Sequence, residues 1–334
     1  MSVNIAIMGA TGAVGAELLE RLDERNFPVG ELRLLASARS AGKTITFKGQ
    51  DITVQELTHD SFEGIDIVLA SAGGSLSKEY APSAVKAGAV VIDNTSHFRM
   101  AEGVPLVIPE INPEEIANHK GIIANPNCST IIMLLPLFPL HKKYGIKRVV
   151  CSTYQAASGA GAHAMQELKE ETQATLDGKD YTNTVINQPY AFNLFPHNSP
   201  MLDNGYVEEE LKMVNETKKI FKDDSFRVNA TCIRVPVMRA HSEAINIEFD
   251  QEVPVEEVYE ILGNTPGVEI FENREENIWA TPLDVSGKDP VYVGRIRKDI
   301  SDANSIDMWV VGDQVRKGAA LNAVQIAEHL VENK

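Results

Sequence analysis

Val3-Asn4-Ile5-Ala6-Ile7-Met8 runs straight into Gly9-Ala10-Thr11-Gly12-Ala13-Val14-Gly15, and the reading of this stretch decides the fold. The first half is a short apolar run of strand type. The second half spaces its glycines G-x-x-G-x-x-G and opens a helical pattern over Ala13–Leu22. Glycines there let the backbone turn tightly and approach a pyrophosphate, which rests on the free N–H groups of the helix N-terminus. Placed between a strand and a helix, the turn predicts dinucleotide binding at its glycines, Gly9 and Gly12 among them. Further strand-like runs follow at Leu32–Ala36, Ile65–Ser71, Val90–Asp93 and Ile122–Asn125, with a helical pattern at Ala81–Ala87. Such alternation predicts a parallel, doubly wound α/β sheet.

The end of the second strand selects the dinucleotide. NAD binding usually needs an acidic residue there for the ribose 2′-hydroxyl. The chain instead reads Ala36-Ser37-Ala38-Arg39-Ser40. A guanidinium flanked by hydroxyls suits a 2′-phosphate, so Ser37, Arg39 and Ser40 predict NADP(H).

Beyond residue 128 the texture changes. Val149–Thr153, Ala230–Val235, Ala244–Asp250, Val291–Ile296 and Ser305–Val311 alternate polar and apolar residues, as in an antiparallel sheet with one solvated face. Helical patterns cover His163–Leu176 and Val207–Phe221, and Gln314–Val331 carries a helical apolar stripe that could return to the first domain. The expected organisation is a Rossmann-like domain of residues 1–127 plus 314–334. An α+β catalytic and dimerisation domain with a mostly antiparallel sheet takes 128–313.

Composition bounds the partners. A formal net charge of −16 repels nucleic-acid phosphates and anionic lipid, so neither is expected as a partner. An anionic substrate would need arginine and lysine gathered locally against that field. The longest apolar stretch, Ile131–Leu140, is interrupted by Pro136 and Pro139, so no membrane span is expected. Met1-Ser2-Val3-Asn4 lacks the basic start of a secretory signal. Cys128, Cys151 and Cys232 have no paired spacing, which fits free thiols in a reducing cytoplasm and no metal site.

Cys128 stands apart from the other two cysteines. Cys151 and Cys232 lie inside strand-like runs, where a free cysteine serves as a small buried hydrophobe. Cys128 follows Asn125-Pro126-Asn127 and precedes the apolar helix Ile131–Leu140, placing it at a helix N-terminus. The dipole there favours the thiolate by about 0.3–1 kcal/mol, under one pKa unit, so a second group must complete the activation. His241, in Arg239-Ala240-His241-Ser242, is the candidate; the other seven histidines have no motif around them.

Together, Asn125-Pro126-Asn127-Cys128-Ser129-Thr130, Arg234-Val235-Pro236-Val237-Met238-Arg239-Ala240-His241-Ser242, the opening glycine turn, Ser158-Gly159-Ala160-Gly161 and Gly312-Asp313-Gln314 resemble aspartate-semialdehyde dehydrogenases. The resemblance covers nearly the whole chain in order. It implies a homodimer that interconverts aspartyl phosphate and aspartate semialdehyde with NADP(H) and inorganic phosphate. It implies Cys128 as nucleophile, His241 as general acid/base and Gln155 as the residue orienting the reacting group. Arg234 would grip the substrate carboxylate and Glu216 its amine. Arg99 and Lys219 would bind phosphate, and Thr11, Gly12, Ala13, Val14, Ser158, Gly159 and Gln314 would join Arg39 and Ser40 at the cofactor.

Periodicity conflicts with part of this. Over Val207–Phe221 the apolar stripe Val207, Leu211, Val214 and Phe221 sets Glu216 and Lys219 on the opposite, solvated face. The nearest competing activity is that of N-acetyl-glutamyl-phosphate reductase, which shares the thioester logic but needs no site for a free amine. A catalytically silent paralogue would be expected to lack the cysteine or histidine, and a nucleotide-sensing protein would bind NADP without turnover.

Overall fold

The computed structural model describes residues 2–332, which form two compact units. One unit combines residues up to Asn127 with those from Ala319 onward; the other is Cys128–Gly318. The return to the first unit therefore comes at residue 319 rather than the expected 314.

In the first unit β1 (Val3–Met8) leads to α1 (Ala13–Glu24) and β2 (Val29–Ala36). A hairpin of β3 (Thr44–Phe47) and β4 (Gln50–Thr53) and a short β5 (Gln55–Glu56) follow. Next come β6 (Ile67–Ala70), α2 (Gly74–Lys86), β7 (Val90–Asp93) and β8 (Ile122–Ala124). The six-stranded sheet has the order β5-β2-β1-β6-β7-β8, every pairing parallel, so the doubly wound reading of the sequence holds. Ile5, Ile7, Leu34 and Leu69 are fully buried, as strands covered on both faces require. The closing helix Leu321–Glu332 buries Ala323, Val324, Ile326 and Ala327 in the same apolar cluster. α2 starts seven residues before the expected Ala81 and continues through Pro82. Its first turns, Gly74-Ser75-Leu76-Ser77, carry turn-like residues that concealed the helix.

The second unit opens with α3 (Cys128–Tyr144), which runs through Pro136 and Pro139; every residue from Ser129 to Leu137 is buried, and only its last turn, with Lys142 and Lys143, reaches solvent. A helix apolar all round must lie inside the core. β9 (Ile146–Gln155), α4 (Ala162–Leu176), β10 (Phe195–Pro196), α5 (Glu208–Phe221), β11 (Arg227–Arg234) and β12 (His241–Phe249) come next. After α6 (Val255–Gly263) come β13 (Val268–Ile270), the β14–β15 hairpin (Glu272–Asn273, Ile278–Trp279) and α7 (Pro282–Val285). β16 (Val291–Lys298) and β17 (Ser305–Gly312) end the unit.

The seven-stranded sheet, ordered β10-β11-β9-β12-β17-β16-β13, is mixed: β11/β9 and β13/β16 are parallel and the remaining pairings antiparallel. Alternation in β9 and β12 puts Cys151, Thr153, Gln155, His241, Glu243, Ile245 and Ile247 on the buried face. The opposite face, with Ser152, Ala244 and Asn246, is half-buried rather than fully solvated.

Candidate functional site

In the first unit, Gly9 adopts φ +93°, a conformation open to glycine and costly for other residues. A Cβ on Gly15 would stand 2.3 Å from the Gly9 carbonyl oxygen, so this position needs glycine for space alone. Gly12 precedes α1 with no side-chain cap, and Thr11 and Gly12 are exposed. The helix N-terminus is thus open behind a tight turn, which fits a pyrophosphate. Beyond β2, Ser37 leads a single helical turn over Ala38–Ser40, with the Ser40 N–H donating to the Ser37 carbonyl at 2.8 Å. Arg39 is exposed there and no carboxylate lies among residues 37–40. The donor set suits a 2′-phosphate.

Arg99 lies at the carboxyl ends of the parallel strands, the edge where such sheets bind ligands. Its Nε donates to the Asn125 carbonyl at 2.9 Å and its Nη2 to the Asn94 carbonyl at 2.8 Å. These bonds fix a largely buried guanidinium between the segments leaving β7 and β8.

The second unit gathers a polar cluster at one end of its sheet. Gln155 closes β9 and His241 opens β12. The Ala156 N–H donates to His241 Nδ1 at 3.1 Å, and Arg234 Nη1 donates to the Ala156 carbonyl at 3.1 Å. One residue therefore orients both the imidazole and the guanidinium. A neutral imidazole has one lone pair, and the Ala156 N–H uses it. The ring proton consequently sits on Nε2, and the 3.5 Å approach of the Gln155 amide nitrogen, itself a donor, is a contact of two donors that leaves the Nε2–H for another acceptor. Burial, the Arg234 charge and His197 lower the His241 pKa to about 3 against the pull of Glu209, so the ring is neutral over the working pH range.

Gln155 is itself clamped. Thr153 Oγ1 donates to its side-chain oxygen at 3.2 Å, and its Nε2 donates to Glu209 Oε1 at 3.2 Å. Glu209 also pairs with Lys212 at 3.0 Å. A Cβ on Gly159 would stand 3.1 Å from His241 Cε1 and 3.2 Å from Arg234 Nη1, so Gly159 lines the cluster. Gln314 donates to the Ser158 hydroxyl and accepts from the Ala240 N–H at 2.9 Å, which brings Ser158 and Gln314 to the His241 end of β12.

Cys128 heads α3 and is partly exposed, unlike the buried Cys151 and Cys232. One turn on, Ile132 packs against Gly312, where a Cβ would come within 2.7 Å of it. Gly312 is the register partner of His241, so α3 seats Cys128 at the same end of the sheet. Gly318 closes over the cysteine, and a Cβ there would lie 2.8 Å from Cys128 Cβ.

The α5 assignments need correction. The buried face of α5 carries Glu209, Met213, Glu216, Thr217 and Ile220, whereas Leu211, Val214 and Phe221 of the expected apolar stripe are only half-buried. Glu216 is 1% exposed, so the solvated-face reading fails. The residue bonded to Gln155 is Glu209, with Lys212 as its partner. Glu216 and Lys219 lie two turns further along, where burial lowers the Lys219 pKa against the pull of Glu216. Sequence reasoning missed Glu209 and Lys212, although they share the Glu-x-x-Lys spacing of Glu216 and Lys219.

Among the described residues no cluster of His, Cys, Asp or Glu could hold a metal, and no helix is long and apolar enough to cross a membrane.

A dinucleotide turn on a parallel sheet, joined to a unit with a cysteine at a helix start and a neutral buried imidazole, defines a semialdehyde dehydrogenase. The family description "Semialdehyde dehydrogenase, NAD binding domain" matches residues 4–119, and "Semialdehyde dehydrogenase, dimerisation domain" matches 137–317. The aspartate-semialdehyde dehydrogenase of a Synechocystis strain is 57% identical over 99% of this chain and 98% of its own. That of Bacillus subtilis is 49% identical over 98% and 97%. Among solved structures, aspartate semialdehyde dehydrogenase II of Vibrio cholerae, complexed with ASA, has a TM-score of 0.97 at 50% identity, covering 99% of both chains. The Candida albicans enzyme, solved with NADP, has a TM-score of 0.77 at 27% identity over 99% and 98%. The chain belongs to the aspartate-semialdehyde dehydrogenase family.

Proposed function

We propose that the chain interconverts L-aspartyl 4-phosphate and L-aspartate 4-semialdehyde through a thioester on Cys128, with His241, Arg234 and Glu209 holding the substrate around it. The observation that carries this reading is the Ala156 junction, which sets His241 and Arg234 side by side around one residue. NADP(H), when bound, supplies the hydride-transfer chemistry. Cys128 holds the carbonyl carbon covalently, as a hemithioacetal on the aldehyde side and a thioester on the acyl side. Phosphate oxygen then bonds to that carbon, the C–S bond breaks and the thiolate leaves. Sulfur suits both roles, being a strong nucleophile and a good leaving group.

His241 presents Nε2–H, so its first role is that of donor. It stabilises the oxygen on which negative charge develops when sulfur adds, and it needs no proton of its own from solvent to do so. A positioned donor of this kind is worth about 10²–10³ in rate. Arg234 offers a planar fork to the α-carboxylate. Glu209 offers the anion suited to the α-ammonium, the role the resemblance had put on Glu216. Lys212, paired with Glu209, supplies a cation for phosphate, a role the resemblance also gives Arg99; Lys219 stands two turns further along α5 than Lys212. Gly9, Thr11–Val14, Ser37, Arg39, Ser40, Ser158, Gly159 and Gln314 form the cofactor contacts.

The protein works as a homodimer, supported by the matched dimerisation domain and by aromatic rings on the half-buried sheet face, where Tyr154 and Trp309 lie 5.7 Å apart. Three free cysteines fit a reducing cytoplasm.

The test is NADP reduction with aspartate semialdehyde and phosphate. Cys128→Ala should abolish turnover and any acyl adduct seen by mass spectrometry while NADP binding persists. Arg234→Leu should raise the KM for the aldehyde about 10²-fold, the loss of a charge-assisted pair, without changing that for NADP. Normal turnover by the alanine variant would refute the thioester.

A further inference from the structure

We infer that the segment His197-Asn198-Ser199 is a specificity-determining brace, which fixes Arg234 and Glu209 relative to each other so that the site selects a substrate carrying a free α-amino group. The inference rests on the roles proposed for Arg234 and Glu209.

The segment continues from β10, whose Phe195 pairs with Arg234, and the His197 N–H donates to the Cys232 carbonyl at 2.8 Å. It is therefore held against β11 at the very strand end that carries Arg234. From there it reaches two ways. Asn198 Oδ1 accepts from Arg234 Nε at 3.5 Å. Ser199 Oγ accepts from the Glu209 N–H at 3.2 Å, and the Pro200 carbonyl accepts from the Glu208 N–H at 2.9 Å.

These last two bonds answer a local defect. α5 begins after Val207, whose side chain has no oxygen to cap the first helical N–H groups. Ser199 supplies that oxygen from outside the helix, at the residue whose carboxylate bonds Gln155. Glu210 completes the cap by accepting from the Val207 N–H at 3.0 Å.

His197 is the anchor of the brace. Its Nδ1 accepts from the Ser199 N–H at 3.1 Å and lies 3.0 Å from the Ser199 hydroxyl oxygen. Held against the imidazole, the hydroxyl oxygen accepts from the Glu209 N–H. A continuous chain thus runs from His197 through Ser199 to Glu209 and on to Gln155. The ring is 8% exposed, and Arg234, Glu209 and Lys212 are the charges that act on it. His197 has no place in the thioester chemistry, yet it lies among the groups that would read the amino-acid end of the substrate.

The experiment compares aspartate semialdehyde with 4-oxobutanoate, which has the same aldehyde and carboxylate but no amine. Ser199→Ala and His197→Leu should lower kcat/KM for aspartate semialdehyde about tenfold, mainly through KM. The loss on 4-oxobutanoate, which lacks the group Glu209 would bind, should be at least threefold smaller, and the KM for NADP should stay within twofold of wild type. His197→Asn, whose Oδ1 can accept where Nδ1 did, should restore most of the preference. Equal losses on both aldehydes, or preserved discrimination in both variants, would overturn the brace. Thermal unfolding of each variant separates a loss of preference from a loss of fold. Failure of the wild-type protein to turn over aspartate semialdehyde would instead overturn the underlying functional reading.

Discussion

Gly318→Ala tests whether the nucleophile is held in place by close packing. Gly318 has no unusual backbone angle to defend, so the substitution acts through space alone. Its new methyl would lie 2.8 Å from Cys128 Cβ, 3.2 Å from Cys128 Cα and 3.4 Å from Gln314 Cβ. Carbon atoms settle at about 3.5–4.0 Å, so the cysteine and the new methyl must separate by ~0.7–1.2 Å. The obstruction includes backbone at a helix start, which cannot swing aside as a flexible side-chain tip could. A displacement near 1 Å at a reacting group costs about 10²-fold in rate, and overpacking of this kind costs about 1–3 kcal/mol of stability. The expected result is kcat lower by about 10²-fold, a slower reaction of Cys128 with iodoacetamide, and a melting temperature reduced by a few degrees. Steady-state NADP reduction, well below the melting transition, gives the first quantity and mass-spectrometric peptide mapping the second. Gly263→Ala is the control, since a Cβ there meets nothing within 4 Å. Turnover by the Gly318 variant within twofold of wild type would refute the claim that this contact sets the cysteine.

Three further outcomes concern the buried polar groups. Glu209→Gln should lower kcat/KM for aspartate semialdehyde at least tenfold, whereas Glu216→Gln should change the melting temperature and leave kinetics within twofold; the reverse pattern would return the amine-binding role to Glu216. His241 and His197 have pKa values lowered to about 3 and about 4, chiefly by burial, so the unfolded chain binds more protons than the folded one between those values and about 6.5. Their contribution to stability is complete above pH 6.5 and is lost as pH falls through that window, at up to about 1.4 kcal/mol per pH unit for each ring. Urea midpoints at pH 5 and 7 check this, and His197→Asn should flatten the difference. Glu243 is the opposite case: fully buried, with Oε1 unpartnered among the described residues, its carboxyl is pushed well above the usual range by desolvation. The folded state then binds the extra proton, and stability falls as pH rises above about 4.5. Glu243→Gln should raise the melting temperature, by a margin that grows from pH 6 to pH 8; a constant or negative margin would show that Glu243 is ionised and paired.

The first unit was legible because its signals are local. A strand, a glycine turn and a helix follow within a few residues, and Gly9 and Gly15 are glycines for backbone reasons that short-range geometry enforces. The place of Cys128 at the start of α3 was legible for a similar reason, since the turn residues Asn125-Pro126-Asn127 stand directly ahead of an apolar helix. The Gly318 contact left no such trace, because it depends on a chain segment that returns near the end of the sequence.

The α5 error shows where periodicity stops being informative. Glu209/Lys212 and Glu216/Lys219 repeat one spacing seven residues apart, which is nearly two full turns. Both pairs therefore lie on almost the same helix face, separated by about 10 Å along the axis. Hydrophobic patterning reports which face is buried, never how far along the helix a partner sits, and in α5 it misreported even the face. The most buried side of α5 is rich in Glu209, Glu216 and Thr217, so an apolar stripe drawn through Leu211, Val214 and Phe221 follows a half-buried flank of the helix, where Phe221 packs on Phe138, His141 and Phe226. A helix that brings charge to a site must break the rule by which helices are recognised as amphipathic. The deciding fact is the contact of Glu209 with Gln155, formed between residues 54 apart in the chain. If Glu209→Gln and Lys212→Ala proved silent in catalysis while the Glu216 and Lys219 variants did not, the helix would have to sit two turns further along its axis in the working enzyme.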